Sequence, residues 1–156
     1  MHTATFPEDD LRRFLQQVAR TSGLLDAGDR SHQHAGVQLS VSETFALGEL
    51  AESGELSQQD LAARLGLEKS TVSRLAAGME DRGWLVRERD AENRRVYRVR
   101  LTDVGRDVAD RVGAELRAHH EHLLARLTTD ERRALAVGLR ALMRELTAAH
   151  EGHGPA

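Results

Sequence analysis

Hydroxyl-bearing and cationic side chains are concentrated between Ser57 and Arg100, in a pattern suited to contacting phosphates and base edges. Small hydroxyls and a single long cation let a helix approach the major groove of DNA closely. Arginines at the tip of a hairpin suit the narrow minor groove, where the electrostatic potential is most negative. The same residue types also occur on ordinary solvated faces, so the elements that carry them decide between the two interpretations.

The segment 68–81 is predicted to be a helix, because its apolar residues recur at i, i+3, i+4 and i+7, at Val72, Leu75, Ala76 and Met79. With that face in the core, the other face and the N-terminal turn point outward. They carry five candidate DNA contacts, at Lys69, Ser70, Thr71, Ser73 and Arg74.

A shorter helix that begins at Ser57 is predicted to precede this one. Ser57 and Asp60 form a pair like a capping box, with Asp in place of the usual Glu. Ala62 is expected where the two helices cross, and Gly66 in the turn, where a positive φ is needed. This is the pattern of a helix-turn-helix. The N-terminal amides of both helices, helped by Ser57, Gln58 and Ser70, are suited to receive phosphates.

After Gly83 the apolar period changes from 3.6 to 2, which predicts two short strands at 84–88 and 96–101. The loop region between them supplies three further candidate DNA contacts, Arg89, Arg94 and Arg95. We expect Asp90 to pair with Arg94 across the loop and to fix its direction. Arg98 and Arg100 alternate along the second strand, as charged residues that face water commonly do.

The remaining segments indicate a mainly α fold with a small β wing. The first part of the chain is predicted to form a helix over 9–27, a polar loop over 28–36 and a helix capped by Ser42. After the wing, one helix is predicted to follow Thr102 and to end near Leu127, with Val104 among its inward positions. A last helix is predicted to be capped by Thr128 or Thr129. The apolar stripes of the first, fifth and sixth helices exceed what one small helix-turn-helix can cover. A symmetric dimer is the expected solution.

The distribution of charge favours a nucleic-acid surface more than the total does. The 156 residues have a net charge of −3, yet residues 68–101 hold nine Lys and Arg against six acidic residues. A local basic face is what the phosphate backbone requires. The absence of cysteine excludes a thiol nucleophile and a disulfide framework. No apolar run approaches the roughly 20 residues that span a bilayer, and the N-terminus lacks a signal-peptide pattern, so a cytoplasmic protein without a membrane partner is expected.

Four segments resemble, in order and spacing, the MarR (multiple antibiotic resistance regulator) family of transcription factors. They are Leu-Gly-Leu-Glu-Lys-Ser-Thr-Val-Ser-Arg-Leu at 65–75, Glu-Asp-Arg-Gly-Trp-Leu-Val-Arg at 80–87, Arg-Asp-Ala-Glu-Asn-Arg-Arg at 89–95 and Leu-Thr-Asp-Val-Gly-Arg at 101–106. The wing followed by Leu-Thr-x-x-Gly-Arg is the most specific part. The resemblance extends from about residue 9 to 149.

The resemblance implies a winged helix-turn-helix with N- and C-terminal dimerisation helices. It implies one domain over 1–156, with a DNA-binding lobe at 40–101 and dimerisation helices at 9–30 and 103–149. The expected function is that of a homodimeric regulator, usually a repressor, that binds pseudo-palindromic operators in double-stranded DNA and releases them when a small-molecule ligand binds. By the same resemblance Ser70, Thr71, Ser73 and Arg74 meet the major groove and Arg94 the minor groove. No enzymatic activity and no resident cofactor are implied.

The eight histidines leave a zinc-responsive regulator of the same fold as an alternative. Glu115, His119 and His122 lie at i, i+4 and i+7 on the fifth predicted helix, and His32 and His34 lie in the loop after the first helix. Histidine nitrogens and a carboxylate are ordinary zinc ligands. The bland interpretation is a polar helix face and a polar loop, because no compact metal-binding motif occurs.

Two functions from other classes compete with DNA binding. A metal-dependent enzyme is disfavoured because the sequence has no HExxH, no nucleophile elbow and no Gly-rich phosphate loop. A winged-helix protein-interaction module that has lost DNA binding is disfavoured by the presence of Arg74, Arg94 and the basic segment around them.

Overall fold

The computed structural model describes residues 8–21 and 32–151. The predicted continuation of the first helix to residue 27 and the tail after Glu151 lie outside them. The helices are α1 Glu8–Thr21, α2 Val41–Ser53, α3 Gln58–Leu65, α4 Lys69–Asp81, α5 Asp103–Ala125 and α6 Thr129–Glu151. The strands are β1 His32–His34, β2 Val37–Leu39, β3 Glu55–Ser57, β4 Leu85–Arg89 and β5 Tyr97–Leu101. The mainly helical fold with a small β wing is confirmed.

The chain divides into two compact units, with the boundary between Glu115 and Leu116 inside α5. The first unit holds α1 to β5 and the beginning of α5, and the second holds the end of α5 and α6. Within the two described ranges, no helix is long and apolar enough to cross a membrane.

Helix α2 begins at a capping box built by Ser40 and Glu43. The Ser40 hydroxyl accepts from the Glu43 backbone N–H at 3.1 Å, and the Glu43 carboxylate accepts from the Ser40 N–H at 2.7 Å. The prediction that Ser42 caps this helix was therefore wrong. The reciprocal bonds satisfy two amides that a helix start leaves without partners. Helix α6 begins in the same way at Thr128, where Glu131 completes the box.

The wing sheet has a third strand that the sequence did not indicate. Its order is β3-β5-β4, all antiparallel, and Leu56 of β3 and Arg87 of β4 both lie opposite Val99 of β5. Strand β3 has three residues, which is too short to show an alternating pattern. It joins the start of the helix-turn-helix to the wing directly.

The segment predicted as a polar loop over 28–36 is partly a β-hairpin. Strands β1 and β2 pair antiparallel around Ala35 and Gly36, with His34 opposite Val37. Both turn residues have positive φ, 49° and 80°. Two-residue hairpin turns need such values, but Ala-Gly is a weaker sequence signal than Asn-Gly. We call this element the histidine hairpin.

The core of the first unit fixes which face of α4 points outward. Val72, Ala76 and Met79 are at most 1% exposed, and they lie among buried residues of the other elements, which include Leu47, Leu50, Leu61, Val99, Leu101, Val108 and Val112. Full burial of a Val, Leu or Met side chain stabilises the fold by about 1.5–3 kcal/mol. Leu75, also predicted to face inward, is half-buried. Rotating α4 would expose several such residues at once.

Apolar residues of α1, α5 and α6 are exposed in the single chain, among them Val104, which was predicted to face inward. On α5, Val104 is 59% exposed, whereas Val108 and Val112 are buried as expected. On α1 and α6 the apolar stripes are exposed along their length, at Phe14, Leu15, Val18, Leu135, Leu139, Met143 and Leu146. An exposed apolar stripe on a helix commonly marks an interaction site.

Candidate nucleic-acid interface

The helix-turn-helix is built by α3, α4 and the turn between them. Ser57 caps α3 by accepting from the Asp60 N–H at 2.9 Å, and Gly66 ends it with a left-handed φ of 64°. Glycine takes this conformation without the clash that a Cβ introduces. Ala62 is 5% exposed. These positions agree with the predicted motif.

The outward face of α4 carries the residues predicted to meet the major groove. Lys69, Ser70, Ser73 and Arg74 are exposed, and Thr71 is half-buried beside them. Ser70, Ser73 and Arg74 lie on the face away from Val72, Ala76 and Met79, and Lys69 flanks that face in the first turn. They combine two hydroxyls with two cations, which can donate to phosphates and to base acceptors.

The two helix N-termini differ in how free they are to receive a phosphate. At α3 the Ser57 hydroxyl also donates to an Asp60 carboxylate oxygen at 2.7 Å, so its hydrogen bonds are used within the protein. The side-chain Nε2 of Gln58 is buried and has no hydrogen-bond partner among the described residues. At α4 the N-cap residue Glu68 makes no side-chain hydrogen bond to the first turn. The first-turn amides of α4 therefore receive no hydrogen-bond acceptor from the N-cap side chain, unlike those of α3.

Asp90 organises the wing, but it does so through Arg98 rather than Arg94. One carboxylate oxygen accepts from the backbone N–H groups of Glu92 and Asn93, both at 2.9 Å, and the other accepts from Arg98 Nε at 2.8 Å. The hydrogen bond from Arg98, followed by those from the two amides, lowers the pKa of Asp90. The expectation that Asp90 pairs with Arg94 was wrong. Its partner lies across the hairpin, where a local sequence pattern gives no signal.

The nine cations of residues 68–101 fall into two groups. Four are paired with carboxylates: Arg82 with Glu43, Arg87 with Glu80, Arg98 with Asp90 and Glu55, and Arg100 with Glu88. In the part of the chain that the structure describes, the other five have no carboxylate partner, namely Lys69, Arg74, Arg89, Arg94 and Arg95. All five were predicted DNA contacts. The uncompensated charge of this segment therefore lies on α4 and in the wing loop.

Within the wing, Arg89 differs from Arg94 and Arg95. The Arg89 guanidinium donates to the backbone carbonyl of Arg94 at 2.6 Å and lies 4.8 Å from the centre of the Tyr97 ring. It stabilises the loop through these two contacts and has no carboxylate partner in the described residues. Arg94 and Arg95 are exposed at the tip. They are free to enter a groove, because only their backbone groups are bound within the wing.

The Leu-Thr-x-x-Gly-Arg segment joins the wing to α5 through close backbone contact. The Thr102 hydroxyl donates to the Gly83 carbonyl at 2.6 Å, and the Thr102 N–H donates to the Trp84 carbonyl at 2.9 Å. A Cβ added at Gly105 would lie 1.8 Å from the same Trp84 oxygen. Only glycine permits this approach, which fixes the first turn of α5 against the base of the wing.

The histidines do not assemble a metal site in the described structure. No group of three or more His, Cys, Asp or Glu side chains in residues 8–21 and 32–151 is arranged to hold a metal ion. His34 Nδ1 lies 3.3 Å from Glu115 Oε1, whose other oxygen accepts from the Ala35 N–H. His119 and His122 are exposed on α5. The side chain of His32 lies outside the described part of the chain.

Comparison with known proteins identifies the same region. A family model described as the MarR family matches residues 37–96, which hold α2, the helix-turn-helix and most of the wing. The YdgJ protein of Bacillus subtilis (strain 168), described as an uncharacterised HTH-type transcriptional regulator, is 32% identical over 100 residues. That match covers 64% of this chain and 60% of the length of YdgJ.

Solved structures extend the similarity beyond the lobe. The PcaV transcriptional regulator of Streptomyces coelicolor, solved with its natural ligand, is 26% identical, with a TM-score of 0.66 over 96% of this chain and 99% of PcaV. FabT of Streptococcus pneumoniae, solved in complex with DNA, has a TM-score of 0.77 over 92% of this chain and 99% of its own. FabT is 17% identical, so this similarity shows the fold alone. The helix-turn-helix, the three-stranded wing and these matches together show a winged helix-turn-helix fold, in which residues 37–96 match the MarR family of transcriptional regulators.

Proposed function

We propose that this chain is a cytoplasmic, homodimeric repressor that binds pseudo-palindromic operators in double-stranded DNA and responds to a small molecule. The observation that carries the proposal is the placement of uncompensated positive charge. The five cations without carboxylate partners in residues 68–101 lie on α4 and in the wing loop. Phosphate neutralisation by such cations supplies most of the sequence-independent affinity for DNA.

Sequence preference is assigned to the outward face of α4. Ser70, Ser73 and Arg74 are exposed there, while the buried face keeps α4 in one rotation about its axis. Arg74 is long enough to reach a guanine edge, and Arg94 at the wing tip is assigned to the adjacent minor groove. FabT, which shares the fold, was solved with DNA, and this supports the assignment.

Dimerisation is assigned to the exposed apolar stripes of α1 and α6. Met143 is 66% exposed, Leu146 59% and Leu15 50% in the single chain. Burying apolar area contributes roughly 25 cal/mol per Å², and a second copy offers the same stripe. A two-fold dimer would present two copies of α4, and a pseudo-palindromic operator matches that symmetry.

The small-molecule response is carried over from the relatives. PcaV was solved with its natural ligand and is the more similar of the two solved regulators in sequence. Release of DNA then requires only that the ligand bind more tightly to a conformation that fits the operator poorly. We assign no catalytic activity and no resident cofactor to the chain.

The test is a titration of the full chain onto fluorescent DNA from the region upstream of its own gene, at several salt concentrations, with and without a zinc chelator. The proposal predicts salt-sensitive binding of two chains per site that a scrambled sequence of equal length does not reproduce. Loss of binding in the presence of the chelator would indicate a regulator that responds to zinc and not to an organic molecule. Equal affinity for the scrambled sequence would contradict a sequence-specific regulator.

A further inference from the structure

The residues Arg82, Gly83 and Trp84 form a junction between the end of α4 and the start of the wing. Arg82 is the C-cap residue of α4, and the Trp84 N–H returns to the Met79 carbonyl at 2.9 Å. The carbonyls of Gly83 and Trp84 accept from Thr102 at the start of α5. Any change at this junction therefore acts on both DNA-facing elements, α4 and the wing.

The side chain of Arg82 ties this junction to the histidine hairpin and to α2. Its guanidinium donates to the Gln38 carbonyl of β2 at 2.8 Å and to Glu43 Oε1 at 3.3 Å. The same group stacks on the Trp84 ring, 3.5 Å from the ring centre. The second oxygen of Glu43 completes the capping box at the start of α2. One planar cation thus joins the end of α4 to β2 and α2, which lie much earlier in the chain.

The turn of the histidine hairpin is bound independently by α5. The Ala35 N–H donates to Glu115, and Arg111 donates to the Ala35 carbonyl at 3.4 Å. His34 lies 3.3 Å from Glu115. The hairpin is therefore held by α5 at its turn and by Arg82 along β2, which links its turn to the end of α4.

We propose that Arg82 is a positioning residue that holds α4 and the wing in register for DNA by fixing their junction against the histidine hairpin. The inference rests on the proposed DNA-binding function and adds a residue that does not itself touch DNA. Glu43 compensates the charge of Arg82, which distinguishes Arg82 from the uncompensated cations of α4 and the wing loop. Its role depends on a planar fork and a stacking face, neither of which lysine supplies.

The test compares the unmodified chain with Arg82→Lys, Arg82→Ala and the control Arg64→Ala. Arg64 also bridges two elements, through Glu49 at 3.1 Å and Ser53 at 2.8 Å, but it lies outside the junction. Two quantities are measured for each protein. The first is the fluorescence of Trp84, the only tryptophan, in the absence of DNA. The second is DNA affinity as a function of salt.

We expect both Arg82 variants to change the emission of Trp84 and to weaken DNA binding by roughly 3- to 30-fold, with the salt slope unchanged. Arg64→Ala should leave the emission unchanged and the affinity within about twofold, because exposed ion pairs contribute little. Arg82→Lys keeps the charge and the helix propensity, so it remains informative if Arg82→Ala does not fold.

Two results would overturn the positioning role. One is an Arg82→Lys protein with the emission and affinity of the unmodified chain. The other is a salt slope that falls by about 1.8 in Arg82→Ala, as expected if a two-fold complex loses two phosphate contacts. If the unmodified chain binds no DNA, the proposed function fails. The anchoring of the junction by Arg82 fails separately if Trp84 emission is the same in all four proteins.

Discussion

Removing a wing-tip arginine should flatten the salt dependence of DNA binding, whereas removing a paired strand arginine should not. Arg94 has no carboxylate partner in the described structure, while Arg100 donates to Glu88 at 3.0 Å. Both substitutions to alanine change the formal charge equally. They differ in whether the deleted cation was available to phosphate, which makes Arg100→Ala the matched control for Arg94→Ala.

The magnitude follows from how many DNA phosphates are left without a neutralising cation. Each neutralised phosphate contributes about 0.9 to the slope of log K against log salt, so a two-fold complex without its two Arg94 side chains should have a slope smaller by about 1.8. Between 50 and 200 mM salt, a slope change of about 1.8 corresponds to roughly a 12-fold smaller loss of affinity. The structure predicts a much smaller change for Arg100→Ala, because its charge is already compensated.

Fluorescence anisotropy on one operator-length duplex, at three salt concentrations, measures both slopes. Thermal unfolding checks that each variant is folded, and Arg100→Ala should lose at most about 1 kcal/mol because its ion pair is exposed. Equal slope changes in the two variants would refute the division into paired and uncompensated cations. An unchanged slope in Arg94→Ala would remove this residue from the interface.

Three further predictions concern the supports of the candidate surface. In thermal unfolding, Gly105→Ala should destabilise the fold by about 3 kcal/mol or more, because its Cβ would meet the Trp84 carbonyl oxygen at 1.8 Å. The control Gly48→Ala, whose Cβ would have no neighbour within 4 Å, should be neutral or stabilising in the same measurement. Ser40→Ala should lower the free energy of unfolding by about 1 kcal/mol in denaturant titrations, since it removes the cap of α2, and an unchanged free energy would contradict the capping assignment. The lowered pKa of Asp90 means that its ionised form stabilises the folded wing above the ordinary value of 3.8, and that this contribution is lost as the pH falls through the lower folded-state pKa. The amide NMR shifts of the wing loop should therefore stay constant from about pH 7 to about pH 5, and a transition inside that range would contradict the role given to Asp90.

The helix-turn-helix and the wing could be predicted because their signals are local. Helix α4 was predicted over 68–81 and is observed over Lys69–Asp81, and Gly66 ends α3 with the expected positive φ. The strands predicted at 84–88 and 96–101 are observed at Leu85–Arg89 and Tyr97–Leu101. Apolar period and turn residues are sufficient for elements of this length.

The predictions fail where the partner that decides the structure is distant in sequence, or where two local signals compete. The Asp90–Arg98 bond crosses the hairpin, and the histidine hairpin is held by Arg111 and Glu115 far along the chain. The α2 cap is different, because Ser40-Val-Ser-Glu43 is a complete capping-box sequence. That pattern indicates Ser40, and not Ser42, as the N-cap of α2 from the sequence alone.

The apolar stripes of α1 and α6 show a further limit of periodicity. It identifies an apolar face but does not say whether the face packs within the chain or on a second copy. Leu139 and Met143 follow the expected period, yet they are 40% and 66% exposed in the single chain. The domain boundaries and the individual DNA contacts stay predictions for the same reason, because they depend on partners outside the chain.

The central claim, that α4 and the wing loop form the DNA-binding surface, is tested most directly by amide hydrogen exchange with and without operator DNA. We predict that DNA slows amide exchange over residues 69–77 and 89–95 and changes the exchange of α6 little. Protection confined to α6, or none in α4 and the wing at saturating DNA, would contradict this claim.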